Sequence, residues 1–192
     1  MTLSAAQRAR VEEYVRPLYT ELDGVETFGR VGEIEQLLIE LAEGVDHEPD
    51  LLELLTLFHG VVGRLGSLAR GSRWHLFMRS LGIAAERIAR LRRGLEGFVR
   101  RPQTAEDRLL HDAVLLERSG VGAVISRLLA AGRKRLALDR ALTQLDAGPE
   151  PERFHTRRGQ EIAAQRHEVT MRWIAELRSL IAAENGSTSQ LS

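Results

Sequence analysis

The sequence predicts an all-α protein, and three observations support that fold class. Apolar residues recur at helical spacing along most of the 192 residues, as expected for helices with one buried face. No segment of useful length shows the alternation of apolar and polar residues that is typical of a strand. Helix start and stop signals separate the apolar stripes. We therefore expect a helical bundle of roughly seven to nine helices with short connections.

The first half of the chain carries three such stripes. The segment DGVETFG at 23–29 ends the first stripe, Gly44 follows the second, and Pro49 precedes the third. The run LLELLTLFHGVVGRLG at 51–66 predicts a buried helix with His59 on its apolar side. The three stripes are Val11, Tyr14, Val15 and Leu18; Val31, Ile34, Leu37, Leu38 and Leu41; and Leu51, Leu55, Phe58 and Val62.

The second half continues the helical pattern. A stripe over 88–98 ends before Pro102, and TAED at 104–107 predicts an N-cap threonine followed by acids in the first helical turn. Another stripe follows Gly120, DAGPEPER at 146–153 is the clearest loop, and a long last helix precedes the polar segment NGSTSQLS. We expect one domain over residues 1–184 and a flexible tail over 185–192.

Composition and charge exclude several classes of protein. A hydrophobic fraction of 43% suffices for a globular core, and 28% of the residues are charged. The formal net charge is zero, so no overall field favours nucleic acid or an anionic membrane. There is no cysteine for a disulfide or a thiolate site. Neither a signal peptide nor an apolar run of about 20 residues is visible, so we expect a cytoplasmic protein.

Four stretches combine polar and apolar residues in an order that suggests a site. VETFGRVGEIEQL at 25–37 opens the second helix, and TLFHG at 56–60 lies near the end of the third. LLHDAVLLERSG at 109–120 places a histidine and an aspartate in an otherwise apolar helix, and TRRGQEIAAQRHEVTMRWIAEL begins at 156. Over nearly the whole chain, this combination resembles the HD superfamily of metal-dependent phosphohydrolases, which is named for its adjacent His-Asp ligands.

The resemblance implies a set of metal ligands that this chain has largely replaced. Members of the family hold one or two divalent ions with an early histidine, a His-Asp pair and a later aspartate. Arg30 stands where the first histidine is expected, His59 matches the second, and Gly60 replaces the paired aspartate. Asp112 matches the first acid of the family's Asp-Ala-Asp-Arg-Leu-Asp stretch, and Val114 replaces the second, where we place the ligand. The closing pattern of one bacterial subgroup is matched by Thr156, Gly159, Ile162, Ala163 and Arg166.

These replacements predict that the ancestral metal position is lost. A divalent ion that activates water needs hard oxygen ligands and neutral imidazoles around it. Arg30 would instead add a permanent cation, which at about 4 Å and an effective dielectric near 20 repels a divalent ion by roughly 8 kcal/mol. We hypothesise that the guanidinium occupies the vacated place and pairs with Asp112 or Glu33.

Two alternatives to this interpretation stay open. A different metal set would consist of Glu26, His59, His111 and Asp112, although His111 and Asp112 are adjacent on one helix and point about 100° apart. His59 is also explained as a hydrogen-bonded core histidine. The remaining histidines have surface, packing or ion-pair explanations: they are His47, His75, His155 and His167.

The stretch ERIARLRRGLEGFVRR at 86–101 is rich in arginine. Arg90 and Arg93 are candidates for phosphate binding because guanidinium groups match phosphate geometry. We favour the alternative of a solvated helix face on which arginines interleave with Glu86 and Glu96.

Three functions follow, in order of preference. The first is a non-catalytic protein that binds a nucleotide-like molecule or a protein partner and needs no cofactor. The second is an active phosphohydrolase for a nucleotide or phosphate ester, with Mn, Mg, Fe or Ni held near His59 and Asp112. The third is a nucleic-acid-associated module that uses the arginines of 86–101. We expect no membrane partner, and apolar residues on the last helix would allow a homodimer.

Overall fold

The computed structural model describes residues 3–20, 28–146 and 148–188, and over these ranges the protein is all-α, as the sequence predicts. The described residues form nine α-helices and two 3₁₀ helices, and they contain no strand. The chain divides into two compact units, residues 1–113 and 114–192. None of the described helices combines the length and the hydropathy that crossing a bilayer requires.

The helices follow the predicted stripes, with two short helices, α4 and α8, that the stripes do not predict. The α-helices are α1 (Ala5–Thr20), α2 (Gly29–Leu41), α3 (Pro49–Phe58), α4 (Arg73–Ser80), α5 (Ala85–Gly97), α6 (Ala105–Glu117), α7 (Gly120–Arg133), α8 (Leu138–Thr143) and α9 (Arg157–Thr188). The 3₁₀ helices are His59–Arg64 and Pro151–Arg153.

Helix α3 forms much of the core of the first unit. It packs against α1, α2 and α5, and eight of its ten residues are buried. The helix satisfies its own backbone hydrogen bonds, so a sequence that is apolar on nearly every side can be buried in this way. The predicted buried helix is therefore confirmed as far as Phe58.

Beyond Phe58 the prediction of a continuous helix to residue 66 is wrong. The chain tightens into the 3₁₀ helix His59–Arg64, in which Gly60 and Gly63 lower the propensity for an α-helix. Val61 and Leu65 remain buried, so the apolar spacing continues although the helix type changes. Periodicity alone could not distinguish the two helix types.

Helix α1 buries a different stripe from the predicted one. Val11, Val15 and Tyr19, spaced by four residues, are almost fully buried, whereas Tyr14 and Leu18 are only partly buried. This spacing places the Tyr19 side chain, near the C-terminal end of α1, in the core of the first unit.

Arg8 fixes α1 against two neighbouring helices. Its guanidinium donates to Glu12 Oε1 at 2.8 Å, to Glu35 Oε1 on α2 at 2.7 Å and to Glu53 Oε1 on α3 at 2.6 Å. Burial lowers the pKa of Arg8, but the three carboxylates outweigh burial and raise it above its ordinary value. These ion pairs therefore link α1 to α2 and α3.

Helix α5 approaches α3 and α6 closely in the first unit. A Cβ on Gly94 of α5 would lie 2.7 Å from both Leu55 Cδ2 and Asp107 Oδ1, so a larger residue there requires these buried side chains to move. The predicted N-cap is confirmed, since Thr104 Oγ1 accepts from the Asp107 amide at 3.2 Å. The Asp107 carboxylate in turn accepts from the amides of Gln103 and Thr104.

The second unit has its own core, to which α7, α8 and α9 contribute. Val124, Leu142, Leu145 and Ile174 are buried together, and Trp173 packs against them. Helix α9 extends to Thr188, four residues into the segment expected as a tail, and residues 189–192 lie outside the described part of the chain.

Candidate functional site

Tyr19 closes the end of α3, next to the position that the resemblance singles out. Its hydroxyl donates to the Leu57 carbonyl at 3.2 Å and accepts from the Gly60 amide at 3.1 Å. Both backbone groups belong to the transition from α3 to the 3₁₀ helix, where the α-helical hydrogen-bond pattern ends. The buried phenol therefore satisfies backbone groups that the change of helix type exposes.

The Tyr19 ring lies where a side chain at position 60 would begin. A Cβ built on Gly60 would be 2.6 Å from Tyr19 Cε1, 3.0 Å from its hydroxyl oxygen and 3.1 Å from Cζ. Carbon atoms that are not bonded to each other pack at about 3.5–4.0 Å, so no residue with a side chain fits without movement of the ring. With Tyr19 in this position, an aspartate cannot occupy position 60.

His59 is held by the last turn of α3. Its Nδ1 lies 2.6 Å from the Thr56 carbonyl oxygen, and because a carbonyl only accepts, we assign the Nδ1 proton to this bond. In the neutral form of the ring, Nε2 then carries the lone pair. The ring centroid lies 6.3 Å from that of Tyr19, which itself packs edge-on against Phe28 at 5.6 Å. A backbone bond of this type orients metal-ligating histidines and core histidines alike.

His111 and Asp112 contact each other, although their backbone positions diverge. His111 Nδ1 lies 3.3 Å from Asp112 Oδ1, and the Asp112 side chain is completely buried. A buried carboxylate is stable in its ionised form only when it is hydrogen-bonded or paired. The polar pair that the sequence singled out in α6 is thus an internal feature of the first unit.

The other positions from the resemblance are placed as follows. Arg30 is the second residue of α2 and is partly buried, and Val114, also partly buried, is the first residue of the second unit. Glu26 lies outside the described residues. In residues 3–20, 28–146 and 148–188, no group of three or more His, Asp or Glu side chains is arranged to hold a metal ion. The pairing of Arg30 with Asp112 or Glu33 stays a prediction.

Two arginines of α5 have acidic partners on the segment that starts α3. Arg87 Nη1 donates to Asp50 Oδ2 at 2.9 Å, and Arg90 pairs with Glu48. Hydrogen bonding to Glu48 raises the pKa of Arg90. These two arginines tie α5 to the start of α3, and the solvated helix face with Glu86 and Glu96 stays a prediction.

Glu106 supports the same end of α3. Its Oε1 accepts from the Glu48 amide at 2.7 Å, and its side chain is buried. Burial raises the pKa of Glu106, but the Glu48 amide, its own amide, the Thr104 hydroxyl and Arg90 together lower it below its ordinary value. The carboxylate thus caps α3 from α6. Of the candidate phosphate-binding arginines, Arg90 is in an ion pair and Arg93 is exposed.

The closing pattern of the sequence supports structure within the second unit. Thr156 Oγ1 accepts from the Gly159 amide at 3.0 Å and so caps α9. Arg166 Nη1 donates to the Leu116 carbonyl at 2.7 Å, at the C-terminal end of α6. Gly120, at φ +82°, has the left-handed conformation that starts α7 beside Arg166. These contacts give the residues of the pattern a structural role, and no catalytic role is needed to explain them.

Tyr19 is the functional-site residue that sequence reasoning missed. The spacing Val11, Val15, Tyr19 could have predicted its burial. Its contact with Gly60 spans 41 residues of sequence, and no local pattern signals a steric fit over that distance.

Comparisons with known proteins support the fold. No family model and no curated protein matches the chain. Bacillus subtilis YpgQ, solved in complex with ADP, superposes with a TM-score of 0.67 at 17% identity over 91% of this chain and 94% of that protein. A structural-genomics target from Lactobacillus plantarum gives a TM-score of 0.70 at 12% identity, covering 95% of this chain and all of that one. The Lin1889 protein of Listeria innocua gives 0.66 at 14% identity, with 90% and 95% covered.

Proposed function

We propose that this chain is a catalytically inactive relative of the HD phosphohydrolases, and that it acts in the cytoplasm by binding a ligand or a partner. The observation that carries the proposal is the contact between Tyr19 and Gly60. An anionic ligand at position 60 would offset the charge of a divalent ion, and the Tyr19 ring leaves no room for one. Loss of this ligand removes the group on which metal-activated water chemistry would most depend.

The ligand class that we propose is nucleotide-like. Support comes from the fold shared with YpgQ, whose structure was solved with ADP. Binding of such a molecule does not require the metal, because arginine and histidine side chains and backbone amides can hold phosphate groups. A homodimer through α9, where Val169 and Leu180 are exposed, remains part of the proposal.

The experiment compares turnover with binding in the same preparation. Purified protein is incubated with ATP, ADP and a phosphate ester in Mn²⁺, Co²⁺, Ni²⁺ or Mg²⁺, and phosphate release is measured. We expect no release above buffer, and we expect ADP to raise the melting temperature in the presence of EDTA. Ligand at about 100 times its dissociation constant stabilises the folded state by about 2.7 kcal/mol. Metal-dependent release that His59→Ala abolishes would contradict the proposal.

A second candidate, an active phosphohydrolase with an altered metal site, is favoured by one observation. His59 donates from Nδ1 to a backbone carbonyl, which is the orientation that metal-ligating histidines adopt, and Asp112 is a buried carboxylate in the same unit. Under this candidate, His59→Ala and Asp112→Asn would each abolish turnover. If the protein is catalytically inactive, neither variant changes the rate of phosphate release, because wild type releases no phosphate.

A further inference from the structure

Basic side chains also line a cavity between α4 and α5 of the first unit. The cavity has a volume of about 460 Å³, and its polar lining consists of Arg70, His75, Arg79 and Arg92. The apolar lining includes Ile88 and Ala89 of α5. None of its lining residues belongs to the positions that carry the family resemblance.

The local sequence explains why basic side chains meet here. Residues 54–85 contain four arginines and two histidines but no aspartate or glutamate. His75 and Arg79 are four residues apart on α4, so they share one face of that helix. Gly71, at φ +84°, makes the turn between Arg70 and the N-cap Ser72. Arg92 joins them from α5.

The cavity has a positive charge that the described protein does not neutralise. No carboxylate lines it, and Arg70, Arg79 and Arg92 form no ion pair with any described residue. On the same helix α5, by contrast, Arg87 and Arg90 pair with acids at the start of α3. On α5, Arg87 and Arg90 are thus in ion pairs, whereas Arg92, which lines the cavity, has none among the described residues.

Two residues that line this cavity each have a buried nitrogen atom that lacks a hydrogen-bond partner among the described residues. Arg92 Nε and His75 Nδ1 are both inaccessible to solvent, and neither is bonded to any part of the chain that the structure describes. Buried polar atoms in folded proteins nearly always have partners, so each one requires an explanation. An anion bound in the cavity would neutralise the three guanidinium groups, and a shift of the Arg92 or His75 side chain towards it would give the buried nitrogen an acceptor.

We propose that this cavity binds the phosphate group of a small organic phosphate. Guanidinium groups match the oxygens of a phosphate group in pairs, and three of them converge here without competing carboxylates. The volume lies within the range of small-molecule sites, about 300–1,000 Å³. Ile88 and Ala89 give the organic part an apolar surface to pack on. The proposal holds whether or not the chain hydrolyses a substrate near His59.

The test is calorimetric titration of the full chain with AMP, inorganic phosphate and adenosine. We expect AMP to bind, adenosine not to bind, and Arg79→Glu to weaken AMP binding by about tenfold or more, because a hydrogen bond to a charged group contributes a factor of roughly 10 to 100. Arg73→Glu is the matched control, since Arg73 is exposed on the same helix and does not line the cavity. It should change the affinity by less than about twofold. Arg92→Met should weaken binding as Arg79→Glu does.

The outcomes separate the sources of the phosphate group. Inorganic phosphate that binds as tightly as AMP, and loses affinity in Arg79→Glu, would support a phosphate site that does not use the organic part. Equal losses in Arg79→Glu and Arg73→Glu would overturn the proposal, since they indicate diffuse surface charge. So would binding of an RNA oligonucleotide without any binding of AMP. Far-UV circular dichroism of each variant confirms its folding, and EDTA in every titration prevents metal-dependent hydrolysis of AMP near His59 from contributing to the measured heat.

Discussion

Replacing Gly60 by alanine tests the steric contact on which the account of the site depends. The new Cβ would lie 2.6 Å from Tyr19 Cε1, about 1 Å closer than carbon atoms pack without strain. Overpacking of a buried site by one methyl group typically destabilises a protein by about 1–3 kcal/mol. For a chain of this size, that corresponds to a fall in melting temperature of about 2–12 °C.

Gly63→Ala provides the matched control for this substitution. Gly63 lies in the same 3₁₀ helix, is exposed, and has no atom within 4 Å of an added Cβ. Thermal and urea unfolding followed by circular dichroism should therefore show a loss for Gly60→Ala and a change within about 0.5 kcal/mol for Gly63→Ala. In a Tyr19→Leu background the penalty of Gly60→Ala should shrink by about 1 kcal/mol or more. Equal stability of the two alanine variants, or an undiminished penalty without the tyrosine ring, would refute the contact.

Three further predictions concern other parts of the fold. Gly94→Ala should lower the free energy of unfolding by about 1–3 kcal/mol, because its Cβ would collide with Leu55 and Asp107. Gly97 has open space around it, so Gly97→Ala should not lower this free energy; chemical unfolding measures both variants. Glu106→Gln should destabilise the protein by about 1–2 kcal/mol at neutral pH, and the difference from wild type should disappear on acidification. The folded-state pKa of Glu106 lies below the ordinary 4.5. The stability that its carboxylate contributes is therefore complete above pH 4.5 and is lost as the pH falls through the folded-state pKa. A difference between Glu106→Gln and wild type that does not change with pH would contradict this role of the carboxylate. Sedimentation at a single-chain mass of 21.5 kDa would exclude the homodimer, and Leu180→Glu should dissociate one that forms through α9.

Local signals in the sequence predicted much of the fold. The helical spacing of apolar residues located α3 and α5, and the Thr104 cap fixed the start of α6. Helices α4 and α8 are eight and six residues long, too short to show a periodic stripe. The end of α3 was missed because a 3₁₀ helix keeps nearly the same spacing of buried residues.

The candidate site was less predictable, because its geometry depends on contacts between distant residues. The resemblance directed attention to His59 and Gly60, but the partner of Gly60 is Tyr19, on a different helix. The acidic partners of Arg87 and Arg90 likewise come from the start of α3, 37 and 42 residues away, and not from neighbours on α5. Sequence spacing identifies groups that can pair along one helix, but it does not show which residue of another helix will be the partner.

Titration with Mn²⁺ shows whether the region around His59 and Gly60 holds a divalent ion. The electron paramagnetic resonance signal of free Mn²⁺ is recorded as the ion is titrated into the purified protein, with His59→Ala as the comparison. We predict that the free-ion signal rises in proportion to added Mn²⁺, identically in the two proteins. Loss of one equivalent of free signal in wild type that His59→Ala restores would contradict it.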